Sequence, residues 1–106
     1  PGTPYYAAPE QLNNQKDLID WRTDQYALGI TLAKCIYSNH PYSEAGDQGP
    51  AQAIDRVAQQ SDPSRNFADF CTQHNLAPLS KMIAPFPILR FPDATSLISA
   101  WNRILS

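Results

Sequence analysis

Proline decides where this chain can be helical. Ten prolines lie in 106 residues, and each fixes φ, removes a backbone donor and pushes the residue before it towards extended shapes. Pro1, Pro4 and Pro9 exclude a helix over 1–9. A short helical turn from Glu10 to about Asn14 can begin just after Pro9, as proline at a helix start allows. "NNQKDLIDWR" reads as a polar connector. "TDQYALGITLAKCIY" is the strongest helical segment: Thr23 or Asp24 can cap it, and Asn39 and Pro41 stop it. Its Tyr26, Ala27, Leu28, Ile30, Leu32, Ala33, Cys35, Ile36 and Tyr37 lie on more than one face. A helix apolar nearly all round is buried in the middle of something larger.

Downstream, "SEAGDQGP" is a loop. Short helices are expected over 51–60, 66–74 and 76–84. Ala53, Ile54, Val57 and Ala58 point inward on the first, and Leu79, Met82 and Ile83 share a face of the third. Pro85, Pro87 and Pro92 hold "APFPILRFP" open. The last helix runs over 93–105, capped by Asp93, with Leu97, Ile98, Trp101, Ile104 and Leu105 as its apolar face. No strand pattern of convincing length and no internal repeat is visible. The expectation is one all-α domain of about five to six helices with long proline-rich loops.

Hydrophobic residues make up 42% of the chain and charged residues 17%, the balance of an ordinary globular protein. The net charge is −2, and Lys16, Arg22, Lys34, Arg56, Arg65, Lys81, Arg90 and Arg103 are scattered. No cationic field exists to hold nucleic acid or an anionic membrane, so neither is expected as a partner. No apolar run could span a bilayer, and no signal-peptide pattern is visible. Cys35 and Cys71 belong to no CxxC or Cys/His cluster, so no metal site is expected. Both sit in apolar surroundings, where free cysteine behaves as a small buried hydrophobe, and this fits a cytoplasmic location.

Three stretches, in order, resemble protein kinases. "GTPYYAAPE" resembles the end of the activation segment, which closes on Ala-Pro-Glu. "RTDQYALGI" resembles the start of the buried central helix of the C-terminal lobe, with its aspartate at Asp24 and glycine at Gly29. "NHPYS" fits the Pro-aromatic that follows that helix, and "PILRFPDATSL" is similar to the final segment, where Pro87 and Arg90 occupy a Pro-x-x-Arg. The resemblance covers essentially all of 1–106, with 1–10 as the end of the activation segment and 23–37 as the central helix. The first two motifs look most like bacterial-type Ser/Thr kinases.

The resemblance implies roles residue by residue. Glu10 would meet Arg90, a pairing that can be bidentate; two solvated surface charges is the plainer alternative. Asp24 is locally a helix N-terminal acid, and the resemblance adds a brace to the catalytic-loop backbone. Thr3 would help fix the acceptor hydroxyl, or is merely a turn threonine, and Gly2, Thr3, Pro4 and Tyr5 would form the substrate-receiving loop. Tyr26 and Trp101 read as core aromatics, and His40 and His74 as ordinary loop or helix-end histidines. Thr31 and Cys35 stand where the family presents larger apolar groups towards the adenine side, a departure that weakens nucleotide-linked packing.

Phosphoryl transfer needs a glycine-rich loop, a strand lysine, a catalytic-loop aspartate and asparagine, and a metal-binding aspartate. None of their motifs occurs in these residues; in kinases they all precede Ala-Pro-Glu. The chain is expected to hold no catalytic residue or cofactor of its own, with ATP and magnesium implied for a parent Ser/Thr kinase. Expected partners are a protein or peptide substrate, the missing kinase segments, or a second copy through the uncovered central helix. Two alternatives are a natural truncated kinase-like binding module and an unrelated α-helical interaction domain.

Overall fold

Asp20 starts the helix around which the other elements are arranged. In the computed structural model, which describes residues 5–105, this helix is α2 (Trp21–Tyr37). The Asp20 carboxylate accepts the Arg22 amide at 2.9 Å, and the Asp20 N–H donates to the Thr23 hydroxyl at 3.2 Å. This reciprocal arrangement satisfies amides at the helix start. The cap is therefore Asp20, not Thr23 or Asp24, and the helix begins earlier than its apolar run. Ser38, in the left-handed region at φ 70°, ends it.

Five further helices surround α2: α1 (Pro9–Leu12), α3 (Pro50–Ala58), α4 (Arg65–Gln73), α5 (Ala77–Met82) and α6 (Ala94–Leu105). Two 3-10 turns, Lys16–Leu18 and Pro87–Leu89, complete an all-helical fold with no strand among the described residues. Proline opens α1, α3 and α5 at N1 or N2, where its missing N–H has no intrahelical partner to lose. Ser64 caps α4 through the Phe67 amide at 3.1 Å, and Asp93 receives the Ser96 amide at 2.7 Å ahead of α6.

One core joins these pieces. Tyr26, Ile30 and Ala33 of α2 pack with Ala53 and Val57 of α3, Phe67 and Cys71 of α4, and Leu79, Met82 and Ile83 at α5. Tyr42 stands among them and donates its hydroxyl to the Ile83 carbonyl at 2.8 Å. Between α2 and α5 the approach is too close for a side chain. A Cβ on Gly29 would lie 2.6 Å from Ile83 Cγ2 and 3.1 Å from Met82 Cβ. Gly29→Leu should therefore cost about 2 kcal/mol or more by forcing the helices apart. Gly29→Ala should cost less, because alanine recovers about 1 kcal/mol of helix propensity. Urea unfolding of the two variants checks the order, and equal stability would refute the contact.

α2 is covered on one side only. Thr23, Gln25, Tyr26, Gly29, Ile30 and Ala33 are buried, whereas Asp24, Leu28, Thr31 and Cys35, a single stripe at helical spacing, are exposed. Leu28 is 49% and Ile36 44% exposed. Its apolar residues encircle it, and the described elements leave one side uncovered, with Leu28, Cys35 and Ile36 exposed. Cys35 shares that open stripe, so of the two cysteines only Cys71 is buried. α6 differs in the same way. Its expected inner residues Ile98 and Leu105 are 55% and 77% exposed, and it buries no residue fully.

Candidate functional site

Glu10 enters the core from α1 and Arg90 from the extended residue that follows the Pro87–Leu89 turn. The two are 1% and 2% exposed. Arg90 Nη1 donates to Glu10 Oε2 at 2.7 Å and Nη2 to Oε1 at 3.1 Å, a bidentate pair across 80 positions of chain. Two more guanidinium donors are placed: Nε gives to the Ala84 carbonyl at 2.9 Å, and Nη1 also to the Arg22 carbonyl at 3.2 Å. The plane lies over the Tyr26 ring, 4.8 Å from its centroid. On the acid side, the Thr23 hydroxyl donates to Glu10 Oε2 at 2.8 Å.

Burial alone would raise the Glu10 carboxyl. The bonds from Arg90 and Thr23, with a backbone bond, outweigh it and hold the group below its ordinary range. A buried charge pair persists when further hydrogen bonds compensate both groups, as the Ala84, Arg22 and Thr23 contacts do here. The same end of α2 grips the segment after Arg90: Gln25 exchanges two bonds with the Phe91 backbone, at 3.1 and 3.0 Å, and Trp21 Nε1 donates to the Pro92 carbonyl at 3.0 Å.

Two buried polar atoms near the pair, Arg22 Nε and the Tyr26 hydroxyl, have no partner among the described residues. An unpaired buried hydroxyl is a cost without return. Tyr26→Phe should leave stability unchanged or raise it by up to about 1 kcal/mol. A measurable loss in urea unfolding would show that the hydroxyl is bonded in solution.

A second constellation lies around Tyr5. Gly2, Thr3 and Pro4, expected in the same loop, lie outside the described residues. The Tyr5 carbonyl faces His40 Nε2 at 3.2 Å, and His40 Nδ1 accepts the Tyr42 amide at 3.1 Å. The Tyr5 and His40 rings meet edge to face, centroids 4.9 Å apart, and Lys34 Nζ lies 5.6 Å from the Tyr5 ring centre. Tyr5, Lys34, Asn39, Glu44 and Pro50 line a groove of about 350 Å³. Its floor loop is held by Arg56, whose guanidinium takes both Asp47 oxygens at 2.8 and 2.7 Å and the Tyr42 carbonyl at 2.8 Å. That pairing draws the partly buried Asp47 carboxyl down to about 2.

The structure therefore brings Glu10 and Arg90 together and leaves Asp24 exposed on the open stripe, with Gly29 packed on the opposite side. Thr23, Gln25 and His40 were not singled out by sequence reasoning for these contacts. An Asp20-x-x-Thr23 pattern is a legible signal for the first. Among the described residues no three His, Cys, Asp or Glu side chains converge as metal ligands.

No protein-family model matches the chain. It is similar to the dual specificity mitogen-activated protein kinase kinase mek-1 of Caenorhabditis elegans, 30% identical over 71 residues, which is 66% of this chain and 20% of that protein. It is also similar to a probable serine/threonine-protein kinase of Clostridium perfringens, 25% identical over 103 residues, covering 97% of this chain and 14% of that protein. The chain spans a fifth or less of the length of these curated relatives. Both relatives are protein kinases, and over the stretches they share with it the chain is a kinase-like region.

Proposed function

We propose that the chain is the C-terminal-lobe portion of a Ser/Thr protein kinase of bacterial type, carrying the peptide-substrate loop and the structural core of that lobe. The observation that carries this reading is the buried bidentate pair of Glu10 and Arg90, which ties the Ala-Pro-Glu stretch to the final segment. An isolated glutamate and arginine would be solvated at the surface. The open side of α2 supports the same reading, because Leu28, Cys35 and Ile36 are left exposed there without a cover from these residues. In this reading the cover is the catalytic half of the kinase, which brings ATP, magnesium and the acceptor-activating aspartate; the present residues are not catalytic alone. Gly2, Thr3, Pro4 and Tyr5 receive the peptide beside the phosphorylated residue. No helix among the described residues is long and apolar enough to cross a membrane, and a cytoplasmic location is part of the proposal.

A second reading, a kinase-like binding module without activity, is favoured by Thr31 and Cys35 on the open stripe, where larger apolar side chains would strengthen nucleotide-linked packing. The two readings separate in one assay. The native full-length polypeptide, given magnesium-ATP and a library of Ser- and Thr-containing peptides, should yield phosphopeptide. Retained binding of a peptide with no phosphate transfer would select the binding module.

A further inference from the structure

His40 is 1% exposed, and both ring nitrogens are engaged. Because the Tyr42 N–H donates to Nδ1, that nitrogen carries the lone pair and Nε2 carries the proton. The Nε2–H therefore donates to the Tyr5 carbonyl, a backbone group 35 positions away. The Asn39 side-chain oxygen accepts the His40 N–H at 2.9 Å and sets the turn that presents the ring. One side chain thus holds Tyr5 twice, by its carbonyl and by the face of its ring. The held residue stands where the groove of Lys34 and Glu44 meets the chain leading into α1.

Resting on the kinase-type reading above, we propose that His40 is a positioning residue for the peptide-receiving stretch. Its bond to the Tyr5 carbonyl fixes Tyr5 itself against the groove, and so sets peptide affinity without touching the peptide. Binding geometry is sensitive to displacements of about 1 Å caused at a distance. A neutral, doubly bonded ring is a stiff support for such a loop, stiffer than a solvated side chain.

Two conservative variants separate this role from general support of the fold. Asparagine at position 40 can offer an oxygen near the place of Nδ1 and keep the Tyr42 amide, but it is too short to reach Tyr5. Glutamine can carry an amide N–H towards the place of Nε2 and keep the tether. In the native full-length polypeptide, His40→Asn should raise the peptide KM about tenfold, with kcat and the KM for ATP within about twofold of wild type. Amide hydrogen exchange over 5–8 should quicken in parallel. His40→Gln should retain most of the wild-type peptide KM and exchange.

A wild-type peptide KM in His40→Asn with quickened exchange overturns the inference, as does a raised KM with exchange unchanged. Should the asparagine variant not fold, the glutamine variant decides alone. A wild-type peptide KM and exchange in it support the tether, and a rise in either overturns it. Absence of phosphate transfer by the wild-type polypeptide to any peptide refutes the kinase reading itself, and this inference falls with it.

Discussion

Arg90→Ala should lower the unfolding free energy by about 3–5 kcal/mol, a large part of the stability of a domain this size. The change strands Glu10 as a buried carboxylate without its charged partner, left with the Thr23 hydroxyl and a backbone bond, and it frees the Ala84 and Arg22 carbonyls. Arg90→Lys should lose about half as much, since an ammonium keeps the charge but cannot fork to both oxygens while serving two carbonyls. Exchanging the residues, Glu10→Arg with Arg90→Glu, should not restore stability. A carboxylate at position 90 would face the Ala84 and Arg22 carbonyls, acceptors against an acceptor. Replacing both with Glu10→Gln and Arg90→Met should instead cost less than the sum of the two single changes, because it leaves no unpaired charge. Urea unfolding of the full cycle measures this. A loss under about 1 kcal/mol for Arg90→Ala would mean that the pair is solvated and does not organise the lobe.

How much of this was legible varies by element. The helices follow from prolines and caps, so α3, α4 and α5 are readable from Pro50, Ser64 and the Leu79–Met82 spacing. The start of α2 was misread because Thr23 looks like a cap; its hydroxyl instead links the Asp20 amide to Glu10. That α2 would be partly uncovered was legible, but which side was not, since a helix apolar on every face cannot say which faces its own chain covers. Leu28 and Ile36 read as core for that reason. Ile98 and Leu105 misled in the same way, because α6 keeps its helical period while no described element closes over its outer turns. The partnership of Glu10 and Arg90 came from motif resemblance alone; charge and spacing say nothing across 80 residues. His40 carried no signal at all. Its role exists only because folding delivers the Tyr5 carbonyl to its ring.

Acid should destabilise this fold in two stages. Burial is the largest influence on His40 and drives it down from 6.5 to about 4; the nearby Lys34 charge adds to this, and the Tyr5 carbonyl opposes it. The unfolded chain therefore takes up a proton on this residue at a pH where the folded chain does not. By linkage, the contribution is complete above about pH 6.5 and is lost as the pH falls towards 4. The displacement corresponds to about 3 kcal/mol. Glu10 acts later: its carboxyl is held below its ordinary 4.5, so its contribution persists above that pH and is lost as the pH falls through the lowered value. Urea unfolding at pH 7.5, 6, 5 and 4 should show a decline that begins near 6.5 and steepens below 4.5. In His40→Gln the first stage should vanish while the second remains, because glutamine keeps a donor for Tyr5 and has no proton to gain. A wild-type profile flat from pH 7.5 to 5 would mean that His40 is solvated, and the tether to Tyr5 would then have no buried anchor.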